Sequence, residues 1–281
     1  MKVAIGIGTY NRRYLLEIHA QSLCSARLPA NTAIIVIDDC STDYDTSYLK
    51  SIYPANADIR RRSENSGGAD YAGRDVMVQL EETGADVLVL LDSDLIVASD
   101  FLEVGIDLLA KSDGVLSLFN TPNHPAADSQ APFVLKKTIG SAATLWRRDL
   151  AREMLAHVAP GPRFDWRFSE FLVGAGYQIY VTKNSRVQHA GFGEGQNSNS
   201  GIGDFGVGFS DADPRNSYRM AEVILYYMQY NARNNTDRMN SLENKIGLLE
   251  SSIPPLENRM RRIETLLGLT LAHRVKRFLR S

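Results

Sequence analysis

Only two cysteines, Cys24 and Cys40, occur in this chain of 281 residues, and they show no metal-ligand spacing. That leaves no basis for a disulfide framework or a cysteine metal cage, and both read as ordinary reduced thiols. Long apolar runs are also missing: none approaches the ~20 residues needed to span a bilayer. No leader pattern precedes the first apolar strand, so a cytoplasmic setting is expected. Charge of one sign is lacking too. Thirty-one Lys and Arg stand against 33 Asp and Glu, for a net charge of −2, so nothing draws the chain toward nucleic acid and none is expected as a partner. The length suffices for one main domain with a sizeable core and a smaller appended module.

What is present is a set of short aliphatic runs that each end in polar residues. Val3-Ala4-Ile5-Gly6-Ile7-Gly8 leads into Thr9-Tyr10-Asn11-Arg12-Arg13, then into a helical pattern on Leu15, Leu16, Ile18 and Leu23. Ala33-Ile34-Ile35-Val36-Ile37 ends in Asp38-Asp39 and the turn-forming Ser41-Thr42-Asp43. Val87-Leu88-Val89-Leu90-Leu91 ends in Asp92-Ser93-Asp94. Such runs read as strands buried on both faces, so their polar ends collect at the carboxyl edge of an open α/β sheet, where ligands bind. Carboxylates at i and i+2 on a strand end leave by the same face and repel unless a hard cation such as Mg²⁺ or Mn²⁺ joins them to a phosphate. Between the second and third strands, Asn65-Ser66-Gly67-Gly68 precedes Arg74-Asp75 in the first turns of a helix, a place where backbone N–H groups meet an anion. Gly6-Ile7-Gly8 does not open a dinucleotide fingerprint, because Asn11 stands where the third glycine belongs.

In their order and spacing these motifs, over about residues 1–195, resemble those of family 2 glycosyltransferases with the GT-A fold. The resemblance implies an α/β, Rossmann-like domain with a mixed central sheet and helices on both faces, over residues 1–215. It further implies that Thr9, Tyr10, Asn11 and Arg12 line the nucleoside pocket, that Asp39 reads the base, and that Asn65, Gly67, Gly68 and Arg74 complete the donor site. Asp92 would lie near the ribose and metal, Ser93 would join the nucleotide-sugar site, and Asp94 would ligate Mn²⁺ or Mg²⁺ directly. Farther on, Trp146-Arg147-Arg148, Phe164-Asp165 and Gly174-Ala175-Gly176-Tyr177 fall where relatives carry their acceptor motifs. Asp165 then matches the catalytic base, with Glu170 in reserve, and Phe164 replaces the acidic residue usual before it. His189, after a strand over residues 178–182, matches a metal-binding histidine, whose neutral imidazole suits Mn²⁺. His19, His124, His157 and His273 have no such setting.

Residues 191–213 are rich in glycine, serine and asparagine without periodicity, which reads as a flexible lid whose Phe192, Phe205 and Phe209 close over the donor sugar. Residues 216–235 form a connecting helix. In 236–281, Met239, Leu242, Ile246, Leu249, Ile253, Leu256, Met260, Ile263 and Leu267 alternate by three and four, the seam of a coiled coil. With Met239 at a, Glu243, Glu250, Glu257 and Glu264 fall at e, while Lys245 and Arg259 fall at g, which favours parallel pairing into a homo-oligomer through 239–267. Pro254-Pro255 either kinks the rod or turns it into a hairpin. The basic amphipathic end at 266–280 suits the inner face of a membrane as well as it suits a solvated helix terminus.

The expected activity is therefore an inverting, metal-dependent transfer of a sugar from a nucleotide-diphosphate donor, a UDP-sugar first among them. The expected acceptor is a hydroxyl of a glycan or a lipid-linked molecule. The alternatives are a nucleotidyltransferase on a related sheet, or an idle nucleotide-sugar-binding subunit assembled by the coiled coil.

Overall fold

A computed structural model describes residues 1–191 and 204–226, with Met239 and Glu243 as isolated helical positions. The chain divides into two compact units, Met1–Val223 and Ile224–Ser281. The first unit opens with β1 (Val3–Thr9), α1 (Arg13–Ser25), β2 (Thr32–Asp38), α2 (Thr46–Ile52), β3 (Asp58–Arg61), α3 (Ala69–Glu82) and β4 (Val87–Asp92). It continues with β5 (Leu95–Val97), α4 (Phe101–Leu109), β6 (Val115–Ser117), β7 (Ala126–Gln130), β8 (Phe133–Lys136) and β9 (Ala143–Arg147). Then come α5 (Arg148–His157), α6 (Phe164–Gly174), β10 (Ile179–Thr182) and β11 (Val187–His189).

Nine strands form a mixed sheet in the order β3-β2-β1-β4-β9-β6-β10-β8-β7. The first four are parallel, and β9 runs antiparallel to both β4 and β6. Alternation along β1 sorts the core into two layers. Val3, Ile5 and Ile7 pack toward Leu16 and Leu23 of α1, Leu49 of α2, and Phe101 and Leu102 of α4. Ala4, with Leu88 and Leu90 of β4, packs toward Val76 and Leu80 of α3, Met154 of α5 and Phe168 of α6. Helices therefore cover both faces, which is why these strands are apolar throughout. The chain walks outward from β1 through β2 to β3, then returns to the other side of β1 with β4. That reversal makes a switch point, and the carboxyl ends of β1 and β4 flank its crevice.

A second sheet of two strands places the last part of the site. β11 pairs antiparallel with β5, setting His189 opposite Leu95, and the Ala190 amide donates to the Asp94 carbonyl at 2.8 Å. A strand over 187–189 was not expected from the sequence; three residues are too few for periodicity to register.

The expected lid over 191–213 falls only in part among the described residues. Residues 192–203, with Phe192, lie outside the described residues. Residues 204–213 are tied down: the Gly206 amide donates to Gln188 Oε1 at 2.9 Å, Val207 exchanges backbone bonds with Asn120 and Ser185, and Asp211 accepts from the Ser99 hydroxyl at 2.7 Å. Phe209 packs against the core, while Phe205 stays exposed. Residues 214–226 are helical. Asn216 donates to the Val97 carbonyl at 2.9 Å, and Arg219 donates to Gln21 O and Ser25 Oγ of α1 at 3.2 Å. The start of this helix, through buried Val223, belongs to the first unit. The 239–267 seam and the 266–280 basic end lie outside the described residues, apart from Met239 and Glu243. Among the described residues, no helix is long and apolar enough to cross a membrane.

Candidate functional site

β1 ends in an unusual turn. Asn11 and Arg12 both take positive φ, 52° and 57°, a left-handed conformation that side chains with a Cβ adopt only when the surroundings hold them there. The hold is visible at Asn11: its amide donates to Ser41 Oγ at 2.9 Å, and its side-chain oxygen accepts from the Thr42 amide at 2.8 Å. The loops after β1 and β2 are stitched together by this exchange. Arg12, at the head of α1, is thereby aimed across the switch point, where Nη1 donates to Asp94 Oδ2 at 2.7 Å.

Asp94 is the centre of the arrangement. It is 3% exposed, and His189 Nε2 approaches the same oxygen at 3.2 Å. His189 Nδ1 in turn lies 3.1 Å from Asp204 Oδ2, while Asp204 Oδ1 accepts from Thr121 Oγ1 at 3.0 Å and Asn123 Nδ2 at 3.2 Å. Burial opposes the charge on Asp94, but His189 and Arg12 outweigh it and hold the carboxyl well below the usual carboxylate range. Burial likewise opposes protonation of His189, yet Asp94 and Asp204 hold the imidazole well above its ordinary value. Asp92 goes the other way: burial, reinforced by the charge of Asp94, pushes it up to about 7. Two carboxylates two residues apart are thus driven to opposite states.

The donor set suits a small hard cation. Asp94 Oδ1 is buried with no hydrogen-bond partner in the structure, and Oδ2 is approached by Arg12 and by His189, whose imidazole would ligate a divalent ion in its neutral form. Gly191 makes room: a Cβ there would sit 1.9 Å from Asp94 Oδ2. Among the described residues no cluster of three or more His, Cys, Asp and Glu forms a metal cage. Mg²⁺ and Mn²⁺ sites at phosphates often use only one or two protein ligands, with phosphate oxygens and water completing the shell, so Asp94 and His189 fit as a half-site.

The remaining expected residues divide. Thr9 is buried and its hydroxyl shares a hydrogen bond with Tyr44 at 2.5 Å; Tyr10 is exposed. Asp39 is buried, its amide donating to the Thr9 carbonyl at 2.8 Å, but its carboxylate is taken up internally: it accepts from Asn65 Nδ2 at 3.0 Å, the Ser66 amide at 2.9 Å and Ser66 Oγ at 2.7 Å, with Arg62 at 3.2 Å. As placed, it orders the Asn65-Ser66 loop rather than presenting an open acceptor to a base. Gly67 and Gly68 carry φ of 97° and 138°, values that favour glycine, and they turn that loop into α3. Arg74 is not brought to the site; it donates to the carbonyls of Val158 and Leu155 at 2.9 and 3.1 Å, capping the end of α5. Ser93 is buried between the two aspartates.

Asp165 lies in the first turn of α6, and Asp92 feels its charge. Burial raises its pKa above the ordinary carboxylate value, against the Trp166 amide that it accepts at 2.8 Å. Glu170 is exposed on the same helix. Asp204, Thr121 and Asn123 were missed by sequence reasoning. Asp204 lies 15 positions beyond His189, inside the segment read as a lid, and no local pattern marks it.

A mixed α/β sheet with helices on both faces and a buried acidic centre at its switch point defines a doubly wound α/β protein. A family model for glycosyl transferase family 2 matches residues 4–156, more than half of the chain, and the chain belongs to that family. No curated protein matches the sequence. Among solved structures, S. aureus TarS 1-349 is 19% identical, with a TM-score of 0.48 over 66% of this chain and 60% of that one. Its complex with UDP is 18% identical, with a TM-score of 0.49 over 80% and 64%. The mannosyltransferase PcManGT from Pyrobaculum calidifontis, in complex with GDP-Man and Mn²⁺, is 17% identical, with a TM-score of 0.48 over 64% and 56%. The chain thus spans about three-fifths of the length of these similar structures.

Proposed function

We propose that the chain is an inverting glycosyltransferase that moves a sugar from a nucleotide-diphosphate donor, a UDP-sugar being the first to test, to a hydroxyl of a glycan or lipid-linked acceptor. One observation carries the reading: Arg12 and His189 converge on Oδ2 of a buried Asp94 whose Oδ1 has no partner, at the carboxyl end of β4. Family membership supports it.

In this reading the switch-point crevice binds the donor. Thr9, Tyr10, Asn11 and the Asn65-Gly68 loop line it, and Asp39 acts by holding that loop. Asp92, pushed up to about 7, is the member of the pair able to keep a proton near neutrality and to share a hydrogen bond with the ribose. Asp165 takes the proton of the acceptor hydroxyl as its oxygen bonds to the anomeric carbon and the bond to the diphosphate oxygen breaks on the opposite side, which inverts the centre. Asp94 and His189 would hold Mn²⁺ or Mg²⁺, which when bound supplies positive charge against the departing diphosphate. Arg12 adds a fixed cation beside it. We further propose parallel oligomers through 239–267 and peripheral contact of 266–280 with the inner face of a membrane.

The test is hydrolysis of UDP-glucose, UDP-N-acetylglucosamine and GDP-mannose, measured with Mn²⁺ and with a chelator. Mn²⁺-dependent release of nucleoside diphosphate from one of them is expected, with Asp94→Ala losing it and binding nucleoside diphosphate no better with Mn²⁺ than without. Wild-type-like turnover of Asp94→Ala at saturating donor would overturn the metal assignment, and no hydrolysis of any of the three donors would count against the transferase reading.

A further inference from the structure

We propose that Trp166 is the platform on which a sugar ring of the acceptor docks, with His124 and Asp165 reaching its hydroxyl groups across Gly140. The inference deepens the reading above, resting on Asp165 as the base, and commits the acceptor to a cyclic saccharide.

Of the two tryptophans, Trp146 is 1% exposed and Trp166 is 42% exposed. An indole left in water forgoes a large apolar burial, and Trp166 does so in the first turn of α6, directly after the proposed base. Its surroundings preset it. The Arg163 guanidinium stands 5.3 Å from the ring centroid, and the His124 ring lies 6.1 Å away, tilted by 49°. His124 is itself fixed through Nδ1, 2.9 Å from Thr138 Oγ1. Burial and the charge of Lys136 press its pKa down, so the ring is neutral near pH 7 and leaves Nε2 to make one hydrogen bond to a ligand.

Gly140 joins these groups. A Cβ built there would lie 3.9 Å from His124 Nε2 and 4.0 Å from Asp165 Oδ2, so both polar atoms converge on one point above a residue that has no side chain to fill it. A flat apolar surface flanked by two converging polar groups matches a pyranose, which carries a C–H face and a rim of hydroxyls. An acyclic polyol has no such face, and an alkyl chain has no use for the imidazole and the carboxylate. The nucleoside of the donor is placed elsewhere, at the ends of β1 and β2.

The experiment is acrylamide quenching of tryptophan fluorescence in the full-length chain, where buried Trp146 supplies a constant background and Trp166 the quenchable signal. The probes are the methyl glycosides of glucose, galactose, mannose and N-acetylglucosamine, with ribitol, glycerol and UDP as comparisons. At least one glycoside should reduce quenching about twofold or more, while ribitol, glycerol and UDP leave it unchanged. With that glycoside as acceptor, Trp166→Ala should raise KM ~10-fold or more, and Trp166→Phe should stay within ~3-fold of wild type. Failure of every glycoside to shield Trp166, or equal shielding by ribitol or UDP, overturns the platform. Donor hydrolysis by the wild-type chain separates the two readings. Hydrolysis without shielding removes the platform alone, and shielding without hydrolysis removes the transferase and leaves a saccharide site.

Discussion

Asp94 and Asp165 show how the neighbours of a buried carboxyl set opposite chemistry on the same side chain. Asp94 has two cationic neighbours that offset its desolvation, so it stays an anion fit to hold a cation. Asp165 has no comparable partner and its pKa rises, which moves a carboxylate toward the basicity useful for taking a hydroxyl proton. Asp165→Asn keeps the shape and removes the base. We expect kcat to fall ~10²-fold or more with donor affinity retained, read from steady-state transfer beside nucleotide titration; an active Asp165→Asn with a dead Glu170→Gln would move the role to Glu170. Asp204 acts one step back, through the ring of His189. Asp204→Asn removes the charge that orients the imidazole and should weaken Mn²⁺ binding ~10-fold or more, measured by Mn²⁺ titration in the presence of UDP without any turnover. Unchanged Mn²⁺ affinity would leave Asp204 as a loop anchor for Thr121 and Asn123. The residues legible in sequence were those at the ends of long apolar strands, such as Asp92 and Asp94. Asp204 and His124 were not, because each reaches the site from a segment without periodicity. Arg74 shows the converse error: a basic residue at the right spacing turned out to cap a neighbouring helix.

At the scale of elements, the strands with five or more consecutive apolar residues were readable because both their faces are covered. β5, β6 and β11, of three residues each, were not, since a period of two needs a longer run to show itself. β7 was hidden for another reason: all five of its residues are exposed, so it carries no hydrophobic alternation at the sheet edge. The packing of α1 on β5 holds a titration that the sequence reading passed over. His19 is fully buried, its Nδ1–H donates to the Leu95 carbonyl at 2.8 Å, and Nε2 has no hydrogen-bond partner. Burial lowers its pKa to about 4, so the folded chain keeps it neutral while the unfolded chain takes up a proton below the ordinary value of about 6.5. The unfolded state then binds more protons, and stability falls as pH drops from about 6.5 toward 4, by at most roughly 3 kcal/mol from this residue. His189 has the opposite tendency in both proteins, so the comparison that isolates His19 is wild type against His19→Leu. Urea unfolding at pH 7, 6 and 5 should show the wild type losing stability that the variant does not lose; parallel losses would mean that His19 is not the group responsible.

For the whole molecule, the question is what the first unit needs from the second. Both faces of its sheet are closed by its own helices, and the start of the helix at 214–226 is bonded to α1 and to the end of β5 within Met1–Val223. Every residue proposed for donor, metal and base lies in that unit. Nothing in its core therefore calls for residues beyond the connecting helix. The 239–267 seam is a different kind of sequence. Its apolar positions repeat at coiled-coil spacing and cannot be buried by a lone helix, and its Glu and Lys or Arg flanks match across a parallel partner. Assembly and chemistry should thus separate cleanly. A chain ending at residue 235 should fold as a monomer and bind nucleoside diphosphate with wild-type affinity, whereas the full-length chain should run as a parallel oligomer with its catalytic heads at one end. Light scattering at micromolar concentration decides the assembly and nucleotide titration decides the separation. A monomeric full-length chain would favour the hairpin at Pro254-Pro255, and a shortened chain that unfolds would show that the second unit stabilises the first.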